Sequence, residues 1–153
     1  MKVYIGADHR GYKLKEEIKT WLSENNYDQE DVGAFILDVN DDYPIFAQKV
    51  VSSVQSDIER NQSVRGIVMC GSGVGVDIVA NKFKHIRSGL AVNPEQIEKA
   101  RLDDDINVLT IPADYIDEKN AKLIVKLFLE TPFSQEEKKK RRLLEIEKIE
   151  DEQ

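Results

Sequence analysis

The stretch GIVMCGSGVGVDI, residues 66–78, ends an apolar run in the chain's only cysteine, Cys70, and follows it with glycines at 71, 73 and 75. A thiol at that place can be a small buried core residue, part of a nucleotide-binding loop, or a catalytic base. Gly71, Gly73 and Gly75 let the backbone take positive φ and turn successive N–H groups toward one point. A helix starting at such a turn adds its positive end. The result is a nest for an anion, either a bound phosphate or an oxyanion that develops during reaction. Cys70 borders that field, the kind of electropositive setting in which reactive thiols sit. A thiolate beside an oxyanion nest suits proton abstraction next to a carbonyl, with the enediolate held by the nest. As a dinucleotide signal the stretch is weak, because it lacks the G-x-G-x-x-G spacing and follows the third strand rather than the first.

Other groups join this thiol only if the elements line up, and the hydropathy pattern says that they do. Strands are predicted at 2–7, 34–39, 65–70, 86–92 and 107–111. Between them lie amphipathic stretches: 10–25, with Tyr12, Leu14, Ile18, Trp21 and Leu22 at helical spacing, and a helix opened by Asp41, Asp42 and Pro44 and carrying Ile45, Val50 and Val54. Further helices are expected at about 75–84, from Pro94 to about Leu102 behind an Asn93 cap, at 116–129, and at 134–150 after the ETPFS break. Strands alternating with helices imply right-handed crossovers and a parallel sheet covered on both faces. The expected fold is a Rossmann-like three-layer α/β/α sandwich with a five-stranded parallel sheet. The chain reads as one domain over 1–153, with its last helix as an extension that packs on a partner subunit or on its own sheet.

In an open parallel sheet, ligands bind outside the carboxyl ends of the strands. Strand one delivers Asp8, His9 and Arg10 there, strand two leads to Asp41, Asp42 and Tyr43, and strand three ends in Cys70. A carboxylate, an imidazole, a thiol and a phenol on one rim suggest acid–base chemistry. Each has a plainer reading as well: Asp8 as a cap of the first helix, His9 as a surface histidine, Cys70 as a small hydrophobe.

Composition narrows the class. With 153 residues, 41% of them hydrophobic, the chain can bury a core without staples. One cysteine makes no intramolecular disulfide and no zinc constellation, which fits a reducing compartment. The N-terminal apolar run is too short for a signal peptide and no segment is long enough to span a bilayer, so a cytoplasmic location is expected. A net charge of −7 argues against nucleic acid as a partner. The run KKKRR, 138–142, reads either as a solvated helix face balanced by the acids of EIEKIEDE or as a source of cations for an anionic ligand.

The blocks GADHRGYKLKEEI, DDYPIFAQKV, CGSGVGVDIVANKF, IRSGLAV and DDDINVLTI follow, in order and spacing, the pattern of the ribose-5-phosphate isomerase B family, which also includes galactose-6-phosphate isomerase subunits. The chain resembles that family from Val3 to about Ile149. The resemblance implies a homodimer, or a dimer of dimers, with an active site shared between subunits. It also implies cofactor-free, metal-free interconversion of an aldose and a ketose phosphate, ribose 5-phosphate and ribulose 5-phosphate foremost. Carried over by position, Cys70 is the base between C1 and C2, and Ser72 assists proton movement at the substrate oxygens. The amides around Gly71, Gly73, Val74 and Gly75 hold the enediolate. Asp8 and His9 contact the sugar and its phosphate end, Tyr43 lines the pocket, and Arg142 is the tail cation that falls best on a phosphate-binding arginine, with Arg141 and Lys138 near it in register. Asn107 matches a position of the fifth-strand motif.

Two positions depart from the pattern. Asp103 and Asp104 stand where ribose-type members carry His-Asn, the histidine being assigned to opening the furanose ring. Asp103 in that role is a weaker base than imidazole; a tetrose phosphate would need no ring opening. Asp114 stands where many members place a phosphate-binding arginine. These departures keep a tetrose or hexose phosphate, or a non-catalytic phosphosugar-binding role, as alternatives.

Overall fold

A computed structural model describes residues 1–152. Five strands form one parallel sheet in the order β2-β1-β3-β5-β4, with β1 at Lys2–Ala7, β2 at Asp28–Asp31, β3 at Val64–Cys70, β4 at Ser88–Leu90 and β5 at Val108–Pro112. Period-two alternation splits β1, β3 and β5 between two cores. Val3, Ile5, Ala7, Ile67, Met69, Leu109 and Ile111 face one way, toward Leu14, Ile18 and Leu22 of α1 (Tyr12–Glu24), Ile97 of α4 (Pro94–Asp104) and Ile124 and Phe128 of α5 (Glu118–Glu130). Tyr4, Val64, Val68, Cys70 and Val108 face the other way, toward Val50, Val51 and Val54 of α2 (Tyr43–Glu59) and Val76 and Ala80 of α3 (Val74–Ala80). Each large apolar side chain buried in these layers contributes about 1.5–3 kcal/mol. The helices form where apolar residues recur every third or fourth position, as in Leu14-Ile18-Leu22, and their starts carry the expected chemistry: Asn93 accepts from the Gln96 amide at 2.8 Å, and Pro94 opens the helix.

The three-layer α/β/α sandwich is as expected, but the second strand is not at 34–39. It lies at Asp28–Asp31, an edge strand of four polar residues. An edge strand needs only backbone partners on one side, and charged side chains there discourage pairing with another chain. Its register, Lys2 opposite Asp28 through Ile5 opposite Asp31, is reinforced by the Lys2–Glu30 ion pair at 2.6 Å and by Lys15 and Lys19 on Asp31. The apolar run that suggested a strand is a loop whose Phe35, Ile36, Leu37 and Val39 are all more than 60% exposed. Smaller differences are that α3 stops at Ala80, β4 spans three residues, and Ile45 on α2 is exposed. The last helix, α6 (Glu137–Asp151), buries no side chain fully; it is tied to the body by Lys139–Asp103 at 2.8 Å, Lys84–Asp151 at 3.3 Å and Glu150 on the His85 amide at 3.0 Å. No helix among the described residues is long and apolar enough to cross a membrane.

Candidate active site

The carboxyl ends of β1 and β3 and the start of α2 enclose a cavity of about 560 Å³ that brings together Asp8, His9, Tyr43, Cys70, Gly71, Ser72, Val74 and Gly75. Parallel β1 and β3 are adjacent and in register, Ala7 opposite Met69, so the residues that follow each strand emerge side by side.

Cys70 is the last residue of β3 and is almost buried. Gly73, at φ 73°, turns its N–H back onto the cysteine and donates to Sγ at 3.2 Å. A side chain at 73 would be strained by that φ and would meet Leu90 Cδ1 at 2.5 Å. Gly75 is required for a different reason: a Cβ there would lie 2.6 Å from Cζ of Tyr43, so the missing side chain is what lets the phenol close one wall of the cavity. The exposed Ser72 hydroxyl accepts from the Val74 amide at 3.4 Å. With seven residues, α3 is a short dipole, and its contribution falls chiefly on the turn's own N–H groups.

Asp8 closes the turn after β1, its Oδ1 accepting from the amides of Arg10 and Gly11, both at 3.0 Å. Burial raises the Asp8 carboxyl above its ordinary range, against the Gly11 amide, which favours the charged form. Asp8 thus caps the turn ahead of α1, whose own N-cap is Gly11, rather than the helix itself, and it also forms a cavity wall. His9 is gripped by Asp41: Oδ1 accepts from the His9 amide at 3.0 Å and faces ring Nδ1 at 2.6 Å. That contact raises the imidazole above its ordinary value, partly opposed by desolvation. Asp8, His9 and Asp41 could offer ligand atoms within 4.8 Å of one another. The Asp41–His9 contact is already a short hydrogen bond, however, so the cluster reads as a carboxylate–imidazole pair before it reads as a metal cage.

Three expected site residues lie elsewhere. Helix α4 starts beyond the carboxyl end of β4 and runs back along the sheet, about 16 Å for its length, so Asp103 and Asp104 lie at the amino edge, opposite Cys70. Asp103 pairs with Lys139 at 2.8 Å, and that hydrogen bond holds its carboxyl below the usual range. Asp104 lines a separate hollow with Ser88, Gln96, Ile146 and Glu150. Arg142 is exposed on α6. Asn107 sits at the amino edge too, where it accepts from the Arg87 amide at 2.8 Å and donates to the His85 carbonyl at 2.7 Å, fixing the turn before β4.

Two pairings were not legible as site features in the sequence. Asp41 lies thirty-two residues from His9, and Asp114 pairs with Arg10 across 104 residues. The Asp114 amide also donates to the Gly71 carbonyl at 3.0 Å, pinning the loop after β5 onto the glycine turn. Among the described residues, Arg10 is the only lysine or arginine lining the Cys70 cavity.

A thiol, a carboxylate and an imidazole converging on the carboxyl end of a parallel sheet define an α/β enzyme with an acid–base site. The Ribose/Galactose Isomerase family model matches residues 3–146. The chain belongs to that family. Ribose-5-phosphate isomerase B of Mycobacterium leprae is 36% identical over 143 residues, covering 94% of this chain and 86% of that protein. The probable ribose-5-phosphate isomerase B of Mycoplasma genitalium is 35% identical over 123 residues, covering 80% of this chain and 79% of its own. Among solved structures, ribose-5-phosphate isomerase B from Mycoplasma genitalium with bound ribulose-5-phosphate superposes with a TM-score of 0.93 at 33% identity, over 99% of this chain and 97% of that one. The enzyme from Clostridium thermocellum gives 0.91 at 34% identity, over 99% of both chains.

Proposed function

We propose that the protein interconverts ribose 5-phosphate and ribulose 5-phosphate by proton transfer through a cis-enediolate. The observation that carries this reading is the Cys70 sulfur at the lip of the Gly71–Gly75 turn, inside a cavity that also holds Asp8, His9 and Tyr43. The thiolate takes the proton from C2 of the open-chain aldose, and electrons move into the C1 carbonyl. The amides of the turn stabilise the enediolate oxygens where charge develops. Ser72 passes a proton between O2 and O1, and Cys70 returns one to C1. The reaction is redox-neutral, so its chemistry calls for no hydride acceptor. Asp8 hydrogen-bonds sugar hydroxyls, His9 faces them and the phosphate end, and Tyr43 covers the chain.

A second copy supplies the rest. Asp103, Asp104 and Arg142 lie at the far edge of the same sheet, and the exposed apolar run from Phe35 to Val39, with Val74 and Ile78 at the mouth of the cavity, offers a face for another protomer. In such a homodimer, Arg142 of one copy completes the phosphate end of the other, with Asp103 and Asp104 placed toward the sugar hydroxyls. Asp103 and Asp114, the two departures from the family pattern, favour a second reading, an isomerase of a tetrose or hexose phosphate. Cys70→Ala separates catalysis from binding. Loss of turnover and of solvent deuterium exchange, with the fold intact, is expected; retained activity overturns the mechanism. A panel of tetrose, pentose and hexose phosphates decides between the two substrates.

A further inference from the structure

The C2 proton of an aldose becomes acidic only beside a free carbonyl, and a pentose 5-phosphate spends nearly all its time as a closed furanose. Something at the site must therefore move the proton of the C1 hydroxyl to ring oxygen O4. Asp103 is poorly suited: it is tied to Lys139 and held as a carboxylate of low basicity. The chain has two histidines, and His85 lines a hollow at the opposite edge of the sheet, with Arg65 and Asn107. His9 lines the Cys70 cavity.

The setting of His9 is that of an oriented acid–base group. One oxygen of Asp41 holds the backbone N–H and ring Nδ1 together, so the ring is fixed relative to the chain that carries it. The Asp41 side chain is only 9% exposed, while the His9 side chain keeps 27%. With Nδ1 engaged as donor to Asp41, Nε2 is the ring atom left to take a proton. We propose that His9, oriented by Asp41, opens the furanose ring in this enzyme. Nε2 removes the proton from the C1 hydroxyl; C1=O forms as the C1–O4 bond breaks; the imidazolium then gives the proton to O4. One proton is moved, none is gained, and the carbon skeleton is neither oxidised nor reduced. His9 is thus a catalytic residue for ring opening and Asp41 a positioning residue, and Cys70 works only on the product of their step.

This inference rests on the isomerase reading, and the two fail differently. Ribulose 5-phosphate cannot close to a furanose, so exchange of its C1 hydrogen with D₂O needs Cys70 and no ring opening. For His9→Gln, turnover of ribose 5-phosphate should fall by about 10²-fold or more, at least ten times further than exchange into ribulose 5-phosphate. Equal losses in both assays, or undiminished ribose 5-phosphate turnover, overturn the proposal. If the wild-type protein neither isomerises nor exchanges, it is the isomerase reading that fails. Asp41→Asn tests the positioning role. Asp8 and Arg10 flank the ring, and Asp42, Tyr43 and Cys70 face the same cavity, but among the described residues Asp41 alone hydrogen-bonds it. The acid limb of the ribose 5-phosphate pH profile should therefore move to lower pH in Asp41→Asn while the exchange profile stays. Parallel movement of both profiles contradicts the assignment.

Discussion

The N–H of Gly73 points at the sulfur of Cys70 across 3.2 Å, and it does so because Gly73 sits in the left-handed region at φ 73°. One backbone angle therefore joins the sulfur proposed as base to the amides proposed to hold the enediolate. Gly73→Ala should destabilise the protein by about 1–3 kcal/mol, from left-handed strain and overpacking against Leu90. Activity should fall by more than the folded fraction explains, because the amide leaves the sulfur. Urea unfolding alongside kcat checks both; an unchanged midpoint contradicts the reading.

Lys15 is fully buried, with its Nζ 2.5 Å from Asp31 and 2.8 Å from Glu16. It bolts α1 onto the polar edge strand. Lys15→Ala should cost about 2–4 kcal/mol, part of it lost packing of the stem and part the largely buried Asp31 charge, which keeps Lys19 and the Gly33 amide. Burial pushes the Asp31 carboxyl up, but the hydrogen bonds of Lys15 and Lys19 outweigh it and leave the group below its ordinary value. A depressed carboxylate contributes stability above its unfolded value, about pH 3.9, and loses it as pH falls through the lower folded value. Asp31→Asn should thus flatten the acid limb of the stability profile. Unfolding midpoints between pH 6 and pH 2 measure it; an unaltered limb counts against the pairing.

The apolar loop from Phe35 to Val39 and the nearby Ile78 are the places to test for a second copy. Ile36→Glu with Ile78→Glu should leave the fold intact, because neither side chain is buried, and shift the sedimentation equilibrium to monomer. If Arg142 and Asp104 reach the site from the partner, ribose 5-phosphate turnover should fall with the dimer fraction. A doubly substituted protein that sediments as a dimer at micromolar concentration, or a fully active monomer, argues against the shared site.

The layers of this fold were legible because burial is periodic. Leu14, Ile18 and Leu22 mark a helix, and Val3, Ile5 and Ala7 a strand face, with no help from the rest of the chain. The second strand was not legible. Asp28–Asp31 carries no apolar signal, and its strand conformation comes from hydrogen bonds to β1 and from Lys15 and Lys19, groups outside it in sequence. The apolar residues at 34–39 pointed the wrong way for the complementary reason: hydrophobicity marks a surface that water covers poorly, and an exposed apolar loop carries that mark as clearly as a core strand.

The same division runs through the site. Cys70, its glycines, and Asp8 with His9 were readable from the sequence, because each group is local and its chemistry is set by neighbours within a few residues. The sequence by itself thus determined the layered α/β architecture and a thiol at a glycine turn. The tertiary structure decided which groups meet. It set Asp41 on His9 and Asp114 on Arg10, and it carried Asp103 and Asp104 away from Cys70 along the antiparallel α4, with Arg142 on the separate helix α6. The physical reason is range. Turns, caps and periodic burial are encoded over a few residues, whereas a side-chain pair between distant segments exists only after the sheet order and the helix directions have placed their ends together.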